Sequence, residues 1–121
     1  MGDRRHVVLT YDDKVRGAQE IYLYSHWNGS ELPKLVANAL IKAKGRWSDE
    51  TYCARIIVTS VVHQCDACEQ ETSWGLAPYF MDSEYNSDVV VFLTKQMIKL
   101  GEITLSYEDY IKTQGVVNAN Q

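Results

Sequence analysis

The amino-acid sequence predicts an α+β fold, in which an antiparallel sheet of about five strands carries two helices on one face. Two strand-like segments that alternate apolar and polar residues come first, and two segments with helical spacing follow them. Three further strand-like segments complete the order β-β-α-α-β-β-β before a short C-terminal helical turn. Grouped strands with the helices between the groups indicate an α+β protein. At 121 residues the chain has the length of one domain, expected over residues 1–114 with a frayed tail over 115–121.

The first two strands are predicted to form an antiparallel hairpin. Residues 5–13, RHVVLTYDD, and residues 20–27, EIYLYSHW, both alternate side chains between two faces. Gly17 lies in the segment between them, which is typical of a hairpin loop. The expected faces of the second strand are Ile21, Leu23 and Trp27 on one side and Tyr22, Tyr24 and His26 on the other.

The first helix is predicted to begin after a turn at Asn28 and Gly29. Ser30 is a favourable N-cap, and Pro33 is tolerated in the first helical turn. Gly45 is expected just beyond the end of the helix, at the C′ position. The expected buried face consists of Leu32, Leu35, Val36, Ala39, Leu40 and Ala43.

The second helix is predicted to begin at a Ser48 cap and to continue to about His63. Acidic residues in its first turn favour a helix start at this point. The run Ile56–Val62 is rich in β-branched residues, so a strand beginning near Arg55 is the competing interpretation. The strength of the cap and the helical period favour the helix.

The second half of the chain is predicted to supply the remaining strands. Residues 74–81 form a strand in which Pro78 indicates an edge or a bulge, and such an edge offers a surface on which two chains can pair as a homo-oligomer. Residues 89–93 are typical of a buried strand. Residues 97–105 are its hairpin partner, with a break expected at Gly101. Residues 106–112 start with a serine cap and form the closing helical turn.

Composition and charge narrow the classes of function. The net charge is −4, and the 12 basic residues are spread along the chain, so nucleic-acid binding is not favoured. The apolar runs are too short for a membrane helix, and no secretory signal is visible, so we expect a protein of the cytoplasm without a membrane partner. Neither a catalytic motif nor a cofactor motif is present, and we therefore expect a protein that is not an enzyme and binds no cofactor.

Cysteine and histidine residues near the end of the second helix raise the possibility of zinc. Cys65 and Cys68 have the two-residue spacing of zinc ligands, and His63 and Cys53 are candidates to complete the set. Neighbouring acidic residues disfavour a redox-active dithiol, because they raise the pKa of a thiol. We expect loop and core cysteines without a metal, and we keep a zinc-stabilised interaction module as the alternative function.

Two corners carry the candidate ligand-binding residues. At the first, His26 and Trp27 precede the helix start at Ser30, where free backbone N–H groups suit an anion. At the second, Arg46 and Arg55 are able to bind a carboxylate or phosphate while Trp47 stacks on the ligand. The competing interpretation is structural, with core tryptophans, a capping serine and surface ion pairs. Exposed tyrosines are a further candidate contact surface, namely Tyr22, Tyr24, Tyr79 and Tyr85.

The stretch YLYSHWNGSELP (22–33), followed by GRW (45–47), Asp49 and ARII (54–57), resembles a group of small proteins encoded by bacteriophages and prophages. Those proteins carry a Tyr-Leu-Tyr-x-His-Trp-x-Gly-Ser-x-Leu-Pro-like stretch, a helix and a Gly-Arg-Trp-x-Asp segment. The resemblance covers about a third of the chain, and HQCDACEQE departs from it. It implies an origin in phage more than an activity, and it draws attention to the two corners.

These observations predict a non-enzymatic accessory protein of phage origin that acts in the cytoplasm of the bacterial host. Its expected partner is a host protein or a small nucleotide-like signal, and its expected effect is interference with host function or antiviral defence. Small phage-encoded proteins without catalytic motifs commonly act by binding, and the expected role follows from analogy with them.

Overall fold

Six strands and three helices make up the part of the chain that the computed structural model describes, residues 2–65 and 72–115. The strands are β1 (Arg5–Asp13), β2 (Gly17–Ser25), β3 (Trp74–Ala77), β4 (Val89–Phe92), β5 (Met97–Leu100) and β6 (Ile103–Ser106). The helices are α1 (Leu32–Lys42), α2 (Glu50–His63) and α3 (Tyr107–Thr113), and short 3-10 turns precede α1 at Gly29–Glu31 and α2 at Lys44–Arg46.

The strands form one sheet in the order β3-β2-β1-β4-β5-β6. The α+β class is confirmed, but the sheet has six strands and not about five, because Gly101, with φ of +64°, turns the segment 97–105 into a hairpin of β5 and β6. The sheet is also not wholly antiparallel, since β1 and β4 pair in parallel. The loop from β3 crosses the sheet before β4 begins, so β4 enters beside β1 in the same direction.

The helices cover one face of the sheet, and three of them do so where two were expected. Val7, Leu23 and Val91 point from the sheet into the core that they share with the helices. Tyr110 of α3 lies in the same core and donates a hydrogen bond of 2.6 Å from its hydroxyl to the carbonyl oxygen of Pro33 at the start of α1. This contact places the C-terminal helix beside α1, so α3 is part of the core.

The opposite face of the sheet, here called the open face, carries no described helix. Strand register assigns its residues, because side chains of directly paired residues point to the same side. One row across the sheet is Tyr22, Val8, Val90 and Lys99, and the neighbouring row begins with Tyr24 and His6. The open face is therefore rich in aromatic residues and differs in chemistry from the aliphatic core face.

The helix boundaries follow the sequence, but the capping residues differ from the prediction. α2 extends to His63 as predicted, so the run Ile56–Val62 is helical. Its N-cap is Asp49 and not Ser48, since the Asp49 carboxylate accepts from the Tyr52 N–H. Gly45 is not a C′ residue, because the helix ends at an Ala43 cap and the chain continues into a 3-10 turn.

The loop of residues 78–88, here called the β3–β4 loop, crosses the open face and is fastened to the N-terminal segment. Arg4 forms an ion pair of 3.2 Å with Asp82, and its carbonyl oxygen accepts from the Glu84 N–H at 2.8 Å. Arg5 donates to the carbonyl oxygen of Ser87 at 3.0 Å and lies over the Tyr85 ring. These contacts hold the loop against the first strand along most of its length. The β3 strand itself ends before Pro78, which shortens the predicted strand of residues 74–81.

Candidate functional site

The first predicted corner is occupied by a carboxylate of the protein itself. Asp3 accepts hydrogen bonds from the Ser30 N–H at 3.0 Å and from the Ser30 hydroxyl at 2.7 Å, and it also accepts from the Tyr85 hydroxyl. Ser30 consequently does not cap α1, whose N-cap position is held by Glu31 without a side-chain hydrogen bond. The position predicted to receive an anion is filled by Asp3.

The pKa of the Asp3 carboxyl reflects this arrangement. Burial alone would raise the pKa, but the hydrogen bonds from Tyr85 and Ser30 and the nearby charge of Arg5 outweigh it and lower the pKa below its usual value. The ionised form of Asp3 is therefore stabilised by folding.

We expect Asp3→Asn to destabilise the protein at neutral pH by about 1–2 kcal/mol, because hydrogen bonds to a charged acceptor are lost. Since folding lowers the pKa, the contribution is fully present above the ordinary pKa of about 3.9 and is lost as the pH falls through the folded value. Urea unfolding at pH 7 and at about pH 3.5 checks the expectation that the difference from wild type shrinks in acid. Exposed Asp12 is the matched control, and an equal effect of Asp12→Asn would contradict the assignment.

Of the remaining residues of the first corner, Gly29 and His26 are in close contact with neighbouring groups, whereas Trp27 is largely exposed. Gly29 is required by close approach, because an added Cβ would lie 2.5 Å from the Asp3 carbonyl oxygen. His26 Nδ1 and the Tyr24 hydroxyl are hydrogen-bonded at 2.9 Å, and the His26 ring meets Trp27 edge-on with centroids 4.4 Å apart. Trp27 is 49% exposed and does not pack in the core, contrary to the structural interpretation of this residue.

The second predicted corner lies at the other end of α1. Arg46 is 3.7 Å from Asp49 and lies over the Tyr52 ring, while Trp47 donates from Nε1 to the Leu40 carbonyl oxygen at 2.9 Å. Arg55 is exposed and bonds only to Thr59, at 3.4 Å, within the described residues. Trp47 also packs edge-on against Tyr107 of α3, with ring centroids 5.2 Å apart, so its ring is engaged by the protein itself. The length of α1 separates Arg46 and Trp47 from His26 and Trp27.

The cysteine cluster is only partly within the described residues. Cys68 lies outside them, Cys65 is buried and His63 is exposed at the end of α2. Cys53 is wholly buried ten positions before His63 in the same helix, about 15 Å away along its axis, and cannot join that set. Burial, and secondarily Asp49, raises the pKa of the Cys53 thiol to about 11, which suits a core residue. Residues 2–65 and 72–115 contain no group of three or more His, Cys, Asp or Glu side chains placed to hold a metal ion.

A cleft on the open face is a candidate binding site that sequence patterns did not predict. Its volume is about 590 Å³, within the range of small-molecule sites. Val8 and Val90 form the floor, and Tyr22 and Phe80 contribute aromatic rings. The rest of the lining is polar, supplied by Glu20, Asn86, Ser87, Asp88, Lys99, Gly101 and Glu102.

His6 holds the β3–β4 loop, which forms one side of this cleft, in place. It is wholly buried, and its Nε2 accepts from the Met81 N–H at 3.1 Å and, more weakly, from the Asp82 N–H at 3.4 Å. Because Nε2 is an acceptor, the ring hydrogen lies on Nδ1, which donates to Asp88 at 3.2 Å. The Phe80 ring packs 4.7 Å from the imidazole, centroid to centroid. His6 thereby positions two residues of the cleft, Phe80 and Asp88.

The sequence contained one signal for this arrangement. A histidine in RHVVLTYDD alternates with the core residue Val7 and so shares the open face of the strand with Val8, and a polar side chain that becomes buried there requires partners. Those partners lie 75 to 82 positions away in the sequence, so no local pattern identified them.

Comparison with protein-family models, with curated proteins and with solved structures gives no match. None of the helices in the described ranges has the length and apolar character needed to cross a membrane.

Proposed function

We propose that this protein acts by binding and not by catalysis, as a phage-encoded accessory protein in the cytoplasm of the bacterial host. In this proposal it captures a small host molecule in the cleft of the open face and so interferes with host function or antiviral defence. The cleft is the observation that carries the proposal. Its volume lies within the range of small-molecule sites, and apolar and aromatic side chains stand beside convergent polar groups in its lining.

The contacts of the β3–β4 loop support a cleft that exists before a ligand arrives. Asp88 accepts from both the His6 backbone N–H, at 3.0 Å, and the His6 ring, at 3.2 Å. Arg5 holds the adjacent Ser87 through its carbonyl oxygen. Because these groups are already ordered, a ligand would not have to supply the free energy for ordering them.

A host protein is the second candidate partner, favoured by an exposed apolar run beside the cleft. Tyr79, Phe80 and Met81 are 63%, 56% and 47% exposed and follow one another in the β3–β4 loop. Contiguous apolar residues of this kind are enriched where proteins meet. A protein partner would use this run, whereas a small ligand would use the cleft behind it.

Native mass spectrometry of protein purified from a bacterial host tests the proposal. We expect an added mass on the wild type that is absent after denaturation and absent from Asn86→Trp, because an indole at exposed Asn86 would fill the cleft. Lys34→Trp, on the exposed side of α1, is the matched control and should retain the added mass.

Other outcomes of the same measurement separate the alternatives. An increment of several kilodaltons would favour the host protein, and a stoichiometric zinc mass would favour the zinc-stabilised module. The same small-molecule mass on Asn86→Trp would contradict the assignment of the cleft. The charge states also report whether the chains form a homo-oligomer.

A further inference from the structure

We propose that the cleft takes a small organic cation, a primary amine or guanidinium on an aromatic or apolar body. This inference rests on the proposed function, because it names the class of ligand that the same cleft would bind. The inference rests on two observations, namely where the charged groups lie around the cleft and which of their oxygens accept no hydrogen bond from the described residues.

The cleft has an excess of carboxylates. Glu20, Asp88 and Glu102 line it, against the single ammonium group of Lys99. Glu20 accepts from the Tyr22 hydroxyl through one oxygen, at 3.0 Å, and both bonds to Asp88 fall on Oδ1. Asp88 Oδ2 and the Glu102 carboxylate have no hydrogen bond or ion pair with another described residue.

Two of these carboxylates lie at the same end of the cleft. Strand register places Val90 opposite Lys99, so the open-face position two residues before Val90 is Asp88, alongside Gly101 at the end of β5. Glu102 follows Gly101 in the turn to β6. An ammonium or guanidinium group seated at this end meets Asp88 and Glu102, and both retain acceptor oxygens for it.

The apolar part of the ligand has a defined place beside that end. Val8 and Val90 are neighbours on the parallel pair of central strands and line the floor, where Val90 is the more exposed of the two. The Tyr22 side chain borders the floor on β2, and Phe80, 56% exposed, borders it from the loop. A flat or aliphatic body on this floor would remove apolar and aromatic surface from water.

The same charges disfavour a nucleotide in the cleft. Phosphate groups would meet Asp88, Glu20 and Glu102 with Lys99 as the one compensating charge among the lining residues. The helix start predicted to bind an anion is occupied by Asp3, as described above. The corner residues suggest an anionic, nucleotide-like ligand, whereas the charges around the cleft favour a cation.

Matched probes isolate the contribution of the positive charge. Tyramine carries an ammonium group on a phenol body, tyrosol carries a hydroxyl group on the same body, and AMP carries a phosphate. In a titration followed by backbone amide NMR shifts, we expect tyramine to shift the amides of Val90, Lys99 and Gly101 and to bind more tightly than tyrosol or AMP.

Three variants test whether the cleft carboxylates provide the selectivity. Glu102→Gln should weaken tyramine binding about two- to fivefold, and Lys99→Gln should strengthen it by a similar factor, because each changes one partly solvated charge. Glu108→Gln, at an exposed position of α3 that does not line the cleft, should leave tyramine binding unchanged.

Equal binding of tyramine and tyrosol, tighter binding of AMP, no shift at the cleft amides, or an equal effect of Glu108→Gln would each overturn the assignment of a cation. The two proposals fail separately. If the added mass seen with cellular protein still disappears in Asn86→Trp while tyramine shows no preference, the cleft remains the ligand site and only the charge of the ligand is wrong.

Discussion

Replacing His6 with alanine is expected to destabilise the protein by about 3–4 kcal/mol. The substitution removes the acceptor of the Met81 and Asp82 N–H groups and the donor to Asp88, and it leaves a cavity beside Phe80. Buried polar groups that lose their partners account for a large share of the cost, because they are no longer solvated by water. Urea unfolding monitored by circular dichroism measures the change.

In His6→Ala we expect the β3–β4 loop to open locally under conditions in which the rest of the protein stays folded. Hydrogen exchange of the Met81 amide should accelerate in His6→Ala under native conditions, since the contact that closes the loop is gone. His63→Ala, at the exposed end of α2, is the matched control and should change stability by less than about 0.5 kcal/mol. Similar unfolding free energies for the two variants would show that His6 does not fasten the loop.

Replacing Ile57 with alanine is expected to cost about 2–5 kcal/mol. Ile57 is wholly buried in the core that α2 shares with the sheet, so the shorter side chain removes apolar contacts and leaves a cavity. The change in unfolding free energy again comes from urea titration.

The control for Ile57 also tests the secondary structure of this segment. Thr59 is exposed two positions later, so Thr59→Ala should change stability by less than about 0.5 kcal/mol. In a strand the two side chains would share a face, whereas in a helix they lie about 200° apart. Large losses in both variants would contradict the helix.

Local patterns in the sequence determined the elements and the faces that they bury. The alternation in β1 assigned Val7 and Leu9 to one side, and they are core residues in the structure. Helical spacing assigned most of the buried face of α1, from Leu32 to Ala43, and the cap and period of α2 carried its helix through the β-branched run to His63. These features depend on neighbours within a few positions, which is the range over which propensity, capping and periodicity act.

The tertiary structure alone decided how the elements meet. The parallel pairing of β1 with β4 and the contact of His6 with Asp88 join residues that are 82 positions apart. Asp3 displaces Ser30 from its expected role as a cap through a contact over 27 positions, and no pattern near Ser30 predicts it. The cleft exists because the β3–β4 loop returns across the open face. Its negative charge also depends on the tertiary structure, which brings Asp88 and Glu102 to one end of the cleft. Sites built from such long-range contacts cannot be derived from local sequence, because the free energy that forms them comes from groups that the chain brings together only on folding.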